Sequence, residues 1–404
     1  MARTADQLRA HLVGDLRSKG AIRSAAVAEA FAAVPRERFI PEVLSAEGLE
    51  AVYRDQAHVT KKDARGMPLS SSSQPSLMAR MLELLELRPG QRVLEIGTGT
   101  GYNAALLAHL VGPRGRVTSV DVDAGLARRA RRALRESGFR VSVSVADARQ
   151  GRASSTQYDR IIVTACADQI PRNWLDQLKE GGLLELPLRL DPDSAAIQVI
   201  PVFQRHGDRL RSIGLTWGSF MPLHGGDGGW QPPPASLNAS RSNAGTHSSL
   251  GSLAGPGLSA LSEAAGRELL ASVLSDRQRP RATGFLHWSA ADPPLLLIYL
   301  LLAIPANKRL AIHSDGMLGV GLIHRHSRSL AFVSVRTPWT EGPEWKNTRF
   351  RWRLDAYGGD DAAADLERLL QNWRAMRRAG RQVLRIAAVG AGETLRLRFG
   401  WTRP

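Results

Sequence analysis

The chain has 404 residues, of which 43% are hydrophobic and 23% are charged, the composition of a folded protein with room for two domains. A single cysteine, Cys166, excludes an internal disulfide and any metal site built from several cysteines. Its isolation, and a polar N-terminus without an apolar signal segment, predict a cytoplasmic protein.

The net charge of +16, from 54 basic and 38 acidic residues, has two interpretations. The composition favours arginines spread over solvated surfaces, as in the arginine-rich helix predicted over 125–136. An acidic peptide partner is the alternative, and nucleic acid is the least expected partner because no RNA-binding signature accompanies the basic runs. The longest apolar run, 295–304, is too short to cross a bilayer, so the sequence predicts no membrane association.

The first fifty residues predict two or three short helices. Leucines spaced four residues apart over 8–16 share one helical face, and a second helix over 25–34 ends at Pro35. The segment VPRERFIPE follows at 34–42, and YRDQA occupies 53–57.

A run of four serines, 70–73, precedes a glutamine and Pro75, and an apolar helical face over 77–85 follows. These residues predict a helix that is capped by Ser72 or Ser73 and has the proline in its first turn.

The stretch RVLEIGTGTGYNAALLAHLVGPRGRVTSVDVD, 92–123, predicts a buried strand, a glycine turn, a helix and a second strand. Gly97, Gly99 and Gly101 recur at every second residue, where the missing Cβ lets the backbone approach a ligand. The helix N-terminus points at whatever these glycines cradle. Asp121 ends the second strand, the position from which a carboxylate accepts hydrogen bonds from ribose hydroxyls.

Spacing and charge indicate the kind of ligand. The glycines have GxGxG spacing, unlike the GxGxxG of a dinucleotide fold, and the acidic Glu95 precedes the first of them. A pyrophosphate disfavours a nearby carboxylate, whereas a cationic sulfonium tolerates one. E-x-G-x-G-x-G followed by a strand that ends in aspartate resembles motif I of methyltransferases that use S-adenosylmethionine (SAM).

Two further strands are predicted downstream. Valines alternate with serines over 141–145 and lead into Asp147, and an apolar run at 158–163 leads into Thr-Ala-Cys-Ala at 164–167. Ligands bind at such strand ends in open α/β sheets. We interpret Cys166 as a small buried residue and not as a nucleophile, since the sequence places no histidine beside it.

The composition changes after a Phe-Met-Pro-Leu segment at 220–223. Residues 224–258 are rich in glycine, proline and serine and predict a linker. Residues 259–404 predict a small α+β domain, a candidate for substrate recognition, with helices over 263–274 and 361–378. The sequence of this domain contains no metal cluster, P-loop or catalytic triad.

Two clusters in this domain have two interpretations each. The first contains Trp339, Trp345, Trp352 and Tyr357 among Arg349, Arg351 and Arg353, and these residues either grip an acidic peptide or form core and rim. His324 and His326 alternate along a predicted strand, and we interpret them as surface histidines.

The motifs up to residue 223 resemble, in the same order, those of protein-L-isoaspartate O-methyltransferases. VPRERFIPE is similar to the family's V-P-R-E-x-F-V/I-P, and YRDQA is similar to its Tyr-x-Asp-x-Pro/Ala. The serine run is similar to Thr-Ile-Ser-Ala-Pro-His-Met, and the stretch at 146–149 to Gly-Asp-Gly-Arg. The resemblance implies a Rossmann-like α/β fold over 1–223, with a mostly parallel doubly wound sheet, and SAM as the cofactor.

The resemblance also implies roles for individual residues. Ser73, aligned on the proline, takes the place of the family's active-site serine. The glycine turn with Glu95 holds the amino-acid end of SAM, Asp121 the ribose and Asp147 the adenine. The predicted cofactor-binding residues are therefore Glu95, Gly97, Thr98, Gly99, Gly101, Asp121, Asp147 and Ala148. The predicted substrate-binding residues are Ser72, Gln74, Thr164 and Ala165.

The implied reaction is methyl transfer to a carboxylate of a protein or peptide. A carboxylate is already ionised at neutral pH, so it needs no general base to attack the sulfonium methyl. The protein must align the reacting atoms and exclude water, and the absence of a histidine or metal motif in the sequence is compatible with this chemistry.

Two departures from the family motifs leave the substrate open. Gln74 and Ser76 replace an alanine and a histidine, and with the C-terminal domain and the basic charge they resemble a branch that methylates aspartates of ribosomally made lanthipeptides and graspetides. Repair of isoaspartyl residues and tailoring of a dedicated peptide are both retained. A SAM-binding adaptor without catalysis is the alternative of another class. A nucleic-acid methyltransferase is disfavoured because no Asn/Asp-Pro-Pro-Tyr motif follows the fourth strand.

Overall fold

The chain forms two compact units. The structure is a computed structural model and describes residues 3–64, 66, 68–147, 149, 157–191, 194–223, 237–243, 246–254, 264–265, 268, 279–288, 295–314, 317–336, 348–380, 383–390 and 392–403. The first unit comprises Met1–Leu188, Val199–Trp230 and Arg385–Phe399, and the second comprises Arg189–Gln198, Gln231–Leu384 and Gly400–Pro404.

The helices and strands of the described residues are numbered in chain order. The helices are α1 (Ala5–Ser18), α2 (Ala25–Ala33), α3 (Pro41–Glu47), α4 (Leu49–Val52), α5 (Pro75–Leu84), α6 (Tyr102–Val111), α7 (Ala124–Glu136), α8 (Arg172–Asp176), α9 (Leu295–Ala303) and α10 (Asp361–Arg378), with short 3₁₀ helices at Arg36–Arg38 and Ala306–Lys308. The strands are β1 (His58–Lys62), β2 (Pro68–Ser72), β3 (Arg92–Ile96), β4 (Arg116–Asp121), β5 (Val141–Val145), β6 (Tyr158–Val163), β7 (Ile170–Pro171), β8 (Leu178–Glu185), β9 (Leu188–Asp191), β10 (Ser194–His206), β11 (Arg209–Trp217), β12 (Leu237–Asn243), β13 (Thr246–Ala254), β14 (Arg279–Trp288), β15 (Arg309–Ser314), β16 (Met317–His324), β17 (Ser329–Arg336), β18 (Thr348–Gly358), β19 (Val383–Val389) and β20 (Thr394–Thr402).

The first unit is built around a mixed sheet with the order β5-β4-β3-β6-β8-β10-β11. Strands β5, β4, β3, β6 and β8 are parallel, and β10 and β11 are antiparallel. Val93, Leu94 and Ile96 of β3 are all buried, as expected for a central strand covered on both faces. This sheet confirms the predicted Rossmann-like α/β fold.

Helices α1, α2, α5 and α6 supply much of the core beside this sheet. Leu8, Leu12 and Leu16 of α1 are buried, which confirms the predicted helical stripe, and they share one hydrophobic cluster with Phe31 and Leu106. Burying side chains of this size contributes about 1.5–3 kcal/mol each. The N-terminal helices are therefore an integral part of the first unit.

The sequence of residues 170–182, which ends in two glycines, predicts a helix with a glycine stop, and the observed helix is shorter. Helix α8 ends at Asp176, and β8 begins at Leu178, so that Gly181 and Gly182 lie within a strand. The pairing of β8 with β6 takes up this segment. A long-range strand pairing has here replaced the glycine C-cap that local sequence predicts.

The last strands of the chain complete the first unit. Strand β19 pairs with β11 through residues 387–389, and the backbone N–H of Ile386 donates to Ser212 Oγ at 2.8 Å. Strand β20 pairs with β7 at Ile170 and Pro171. Residues 385–399 thus belong to the first unit, a feature that the predicted division into 1–223 and 259–404 does not contain.

The second unit contains a seven-stranded antiparallel sheet with the order β12-β13-β15-β16-β17-β18-β14. Helices α9 and α10 pack on this sheet, and α10 buries Leu366, Leu370 and Trp373, as its amphipathic pattern predicts. Strands β12 and β13 fall inside the predicted linker, 224–258. The linker prediction rests on composition, which does not reveal the long-range pairing of β13 with β15.

The structure also bears on the clusters in this unit. Trp352 and Tyr357 are buried, which favours the core interpretation for these two rings; the other two aromatic residues, 339 and 345, lie outside the described residues. His324 is partly buried and pairs with Asp365 at 2.8 Å. The helix predicted over 263–274 lies mostly outside the described residues. Among those described, no helix is long and apolar enough to cross a membrane.

Candidate active site

The glycine turn lies between β3 and α6, at the carboxyl end of a central parallel strand. Gly97, Gly99 and Gly101 have φ values of +98°, +51° and +87°, in the region that favours glycine. A Cβ on Gly97 would lie 2.5 Å from Thr164 Oγ1, and one on Gly101 would lie 3.1 Å from Ala130 Cβ. The turn is therefore glycine-dependent for two reasons, backbone conformation and close packing.

Asp121, at the end of β4, lies directly beside this turn. Its Oδ2 accepts a hydrogen bond from the backbone N–H of Gly99 at 2.9 Å, and its Oδ1 accepts one from Asp123 N–H at 2.9 Å. Burial raises the pKa of the Asp121 carboxyl, and the two backbone donors oppose the rise. Each carboxylate oxygen has a second acceptor position, so Asp121 can hold the turn and still accept from a ligand hydroxyl.

Glu95 does not lie on the surface of the turn. Its side chain is completely buried beneath it, where Oε1 accepts from Asn103 Nδ2 at 2.8 Å and Oε2 from Ser119 Oγ at 2.5 Å. Ser119 Oγ also lies 2.6 Å from Thr98 Oγ1. Burial raises the pKa of Glu95 to about 7. The expected direct contact of Glu95 with the amino-acid end of SAM is thus replaced by a contact with the residues that carry the turn.

The β1–β2 hairpin brings the serine run against the glycine turn. A Cβ on Gly99 would lie 3.6 Å from Ser70 Oγ and 3.8 Å from the carbonyl oxygen of Ser71. Lys61 of β1 forms an ion pair with Asp123, two residues after Asp121. The serine run and the glycine turn, whose contacting residues are 28 and 29 positions apart in sequence, are therefore neighbours in the fold.

The predicted catalytic and substrate-binding residues of the serine run have different surroundings. Ser73 is partly exposed, and its carbonyl oxygen accepts from Arg36 Nη2 at 3.1 Å. Ser72 is buried, and its Oγ accepts from the same nitrogen at 3.3 Å. The Ser72 side chain therefore faces the interior, contrary to its predicted place in the substrate site.

The N-cap of α5 is Gln74, and not Ser72 or Ser73 as predicted, although Pro75 is at the expected first position. The Gln74 side chain makes no capping hydrogen bond to the backbone of α5. Instead Asp55 Oδ1 accepts from the backbone N–H of Ser76 at 2.8 Å, and Gln74 Nε2 donates to the Asp55 carbonyl at 3.1 Å. A carboxylate from the YRDQA segment thus replaces the local serine cap.

Arg36 is the residue of this site that sequence reasoning missed. Its guanidinium is completely buried and donates to the carbonyl oxygens of residues 52, 54, 56 and 73 and to Ser72 Oγ. The guanidinium carbon lies 5.8 Å from the centre of the Tyr102 ring. The VPRERFIPE motif includes Arg36, but nothing local in the sequence indicates where the side chain of Arg36 points.

The segment after β6 supports the turn from the other side. Thr164 Oγ1 donates to the carbonyl oxygen of Gly97 at 2.6 Å, with Ile96 O at 3.1 Å. Thr164 and Ala165 are partly exposed. Cys166 is buried and 3% exposed, which confirms its interpretation as a small interior residue.

Asp147 follows β5 and pairs with Arg149, whose Nη2 lies 2.7 Å from Asp147 Oδ2. Its side chain is 16% exposed, so an adenine amino group would have to share this carboxylate with the arginine. The neighbouring predicted residue, Ala148, lies outside the described residues.

The arrangement fits SAM in three respects. The glycine turn leaves no Cβ in the way of a ligand, the N-cap of α6 is Gly101, which has no side chain, and a carboxylate lies beside the turn. A helix N-terminus attracts an anionic group such as the carboxylate of SAM, and Asp121 is placed for hydroxyl groups.

Comparisons with known proteins identify the family. The model of the family described as protein-L-isoaspartate(D-aspartate) O-methyltransferase matches residues 7–227. The protein-L-isoaspartate O-methyltransferase of Methanopyrus kandleri is 40% identical over 228 residues, 55% of this chain and 94% of that protein. That of Methanothermobacter thermautotrophicus is 38% identical over 221 residues, 54% of this chain and 96% of that protein.

A solved structure named protein-L-isoaspartate O-methyltransferase has the same fold. It has a TM-score of 0.53 and 24% identity, and the match covers 96% of this chain and 99% of that one. Together with the family match over more than half of the sequence, these findings show that the chain belongs to the SAM-dependent protein-L-isoaspartate(D-aspartate) O-methyltransferase family.

Proposed function

We propose that this enzyme methylates the free carboxylate of isoaspartyl residues in damaged proteins and peptides, and that Ser73 orients that carboxylate. The observation that supports this assignment is the contact of the serine run with the glycine turn, 3.6 Å from Ser70 Oγ to a Cβ on Gly99. It brings the strand that leads into Ser73 against the predicted SAM-binding loop. The ester then collapses to a succinimide that reopens in part as normal aspartate.

Bound SAM supplies an electrophilic methyl group on a sulfonium. The chain's own task is to hold the acceptor oxygen in line with it and to exclude water, which in well-aligned reactions lowers the barrier by about 7–11 kcal/mol. The acceptor is ionised at neutral pH, so none of these residues has to remove a proton. A hydroxyl donor such as Ser73 suits this task because it fixes a carboxylate without neutralising it.

The cofactor roles follow the contacts of each residue. Asp121 would accept from the ribose hydroxyls, and the backbone of the turn, from Gly97 to Gly101, would face the amino-acid end. Glu95 would act indirectly, through Ser119 and Thr98 beneath the turn. Asp147 would reach the adenine amino group with its carboxylate already oriented by Arg149.

The same geometry offers another account of the two departures from the family motifs. Gln74 and the Ser76 backbone both bond to Asp55 at the start of α5. The Gln74 side chain thus serves the local structure and does not have to be a specificity change, whereas the bond at Ser76 is made by the backbone and does not explain the loss of the histidine. A solved structure with the family's name has the fold of nearly the whole chain, so the C-terminal unit does not by itself indicate peptide tailoring, and the comparisons give that role no support.

The finer features of the substrate remain part of the proposal. The net charge of +16 favours substrates with acidic residues near the modified position, and such a preference would weaken with salt. We place the enzyme in the cytoplasm, where damaged proteins of the cell would be its substrates.

The test is methyl transfer from labelled SAM to paired linear peptides that differ only in isoaspartate or aspartate at one position. We expect transfer to the isoaspartyl peptide alone. Ser73→Ala should lower kcat/KM by about 10–100-fold with SAM affinity preserved, whereas Ser18→Ala, on the surface of α1, should behave as wild type. SAM binding without turnover on either peptide, with Ser73→Ala matching wild type, would instead support the adaptor.

A further inference from the structure

The Arg36 guanidinium makes five hydrogen bonds. Its Nη1 donates to the carbonyl oxygens of Val52 at 3.0 Å and Arg54 at 3.1 Å. Its Nη2 donates to Gln56 O at 3.2 Å, Ser72 Oγ at 3.3 Å and Ser73 O at 3.1 Å. One planar group therefore joins two separate segments, 52–56 and 72–73.

Burying a guanidinium cation costs free energy, which argues that the geometry of its hydrogen bonds matters. Each charge taken out of water costs several kcal/mol unless it is well solvated by protein groups, and an apolar replacement is often as stable. The acceptors of Arg36 are carbonyl oxygens and one hydroxyl, and its guanidinium also lies over the Tyr102 ring. The two terminal nitrogens of arginine lie in one rigid plane and direct their N–H groups to both segments at once, whereas lysine has a single ammonium group.

The joined segments form a closed loop of contacts around Ser73. Arg36 holds residues 52–56 on one side, and within that segment Asp55 bonds the N–H of Ser76 at 2.8 Å and is itself paired with Lys19 at 3.0 Å. On the other side Arg36 bonds the Ser73 carbonyl directly. The backbone of residues 73–76 is therefore held from both directions, whereas the hydroxyl of Ser73 takes no part in the loop of contacts.

We propose that Arg36 is the positioning residue for Ser73 in methyl transfer. It touches neither substrate nor SAM, and it fixes the backbone from which the Ser73 hydroxyl reaches the acceptor carboxylate. A displacement of about 1 Å at such a position costs on the order of 100-fold in rate. The proposal rests on the role given to Ser73 above.

The test is a double-mutant cycle of Arg36→Lys and Ser73→Ala on the full chain. Arg36→Lys should lower kcat/KM for an isoaspartyl peptide by about 10–100-fold and change the Kd for SAM by less than about threefold. In the Ser73→Ala background, where the carbonyl bond to Arg36 persists, Arg36→Lys should cost less than about threefold. A purely structural role would instead lower activity equally in both backgrounds.

Arg160 provides a matched control at the opposite end of α5. It is also buried, and its Nε and Nη2 donate to the carbonyl oxygens of Leu85 at 2.6 Å and Glu86 at 3.2 Å. Arg160→Lys should lower the melting temperature as Arg36→Lys does and leave kcat/KM within about threefold of wild type. Equal losses of activity in the two lysine variants would overturn the proposal.

The outcomes separate this proposal from the assignment of Ser73. If Ser73→Ala is fully active, the role of Ser73 is wrong; if it is impaired and Arg36→Lys is not, the role of Arg36 is wrong. If Arg36→Lys does not fold, Ser72→Ala removes one acceptor of the same nitrogen. It should lower kcat/KM by about 3–10-fold, again only when Ser73 is present, and a loss independent of Ser73 would count against the proposal.

Discussion

The glycine turn and the serine run lie against each other, but they are held in place in different ways. The turn depends on its own residues and on the adjoining strand ends: three glycines with positive φ, Asp121 at the end of β4 and Thr164 at the end of β6. The serine run and the start of α5 that follows it depend on Arg36 and Asp55. Arg36 bonds Ser73, 37 residues later, and Asp55 bonds Ser76, 21 residues later. Both halves therefore have partners distant in sequence, but the turn is held by the ends of neighbouring parallel strands, whereas the serine run is held by side chains of the N-terminal segments.

This difference predicts how each half fails. A substitution in the glycine turn has to change both stability and SAM affinity, because the turn carries the sheet contacts and the ligand surface together. The serine run can be displaced by changes at a distance that leave the cofactor loop untouched. Stability, SAM affinity and turnover are thus three separate measurements that can separate the two halves.

The largest effect is expected from Gly97→Ala. The new Cβ would lie 2.5 Å from Thr164 Oγ1 at a φ of +98°, and we expect a loss of about 3–5 kcal/mol in the free energy of unfolding. Gly112→Ala is the control, since Gly112 has φ +65° and nothing within 4 Å of a Cβ; it should cost about 1 kcal/mol. Denaturant titration and SAM calorimetry check this. Equal losses in the two variants would show that the contact with Thr164 does not matter.

The next effect concerns two buried carboxyls in one row of the sheet. Glu95 and Glu185 both align with Ile162 of β6, but Glu95 accepts from Ser119 and Asn103, whereas both Glu185 oxygens lack a hydrogen-bond partner in the described structure. Burial raises the pKa of Glu95 to about 7 and that of Glu185 well above its usual value. Both carboxyls therefore hold a proton in the folded state at pH values where the unfolded chain has lost it.

The stabilisation that these two protonated carboxyls contribute should consequently fall as pH rises above about 4.5, the usual pKa of glutamate in the unfolded chain. The stabilisation from the protonated Glu95 carboxyl should be lost by about pH 7, whereas that from Glu185 should continue to fall at higher pH. Glu95→Gln and Glu185→Gln should each gain stability relative to wild type over these ranges, by on the order of 2–3 kcal/mol for Glu95. Denaturant titrations from pH 4 to 8 measure this, and parallel profiles of wild type and Glu95→Gln would contradict it.

The smallest effect on stability is expected from Asp55→Ala, which tests the serine run. Loss of the bond to Ser76 N–H resembles loss of a helix cap, about 1–2 kcal/mol. Turnover should fall several-fold with SAM affinity preserved, because only the start of α5 is released. Asp15→Ala removes the other carboxylate partner of Lys19, at 2.6 Å, without touching α5. If Asp15→Ala slows methyl transfer as much as Asp55→Ala does, the effect belongs to Lys19 and not to the helix start.

The same difference explains what the sequence could predict. The strand, turn and helix over 92–111 follow from local patterns, and the structure confirms them because their partners are the neighbouring parallel strands. The predicted serine cap of α5 was wrong because Asp55, distant in sequence, provides the cap. Glu95 was assigned to the amino-acid end of SAM from the family resemblance, but its side chain is buried beneath the turn, and alternation cannot indicate the direction of a side chain in a strand buried on both faces.

Arg36 and the C-terminal strands lay beyond local reasoning altogether. A motif can be recognised without revealing where its arginine points, and residues 385–399 show strand patterns but no sign of which sheet they join. The family resemblance identified the motif that contains Arg36 but not the contacts of its side chain. It ended at residue 223 and so could not indicate that the sheet continues with the last residues of the chain.

The pairing of β11 with β19 has a consequence for how this protein is synthesised. Strand β11 ends at Trp217, and its partner begins only at residue 383, so roughly 165 residues must be translated before that edge of the sheet is covered. At about 5–20 residues per second, the growing chain carries an open strand edge for on the order of 10–30 s. An uncovered edge is a template for pairing with another chain. The nascent enzyme should therefore be most prone to aggregation late in translation, when its methyltransferase motifs are already complete.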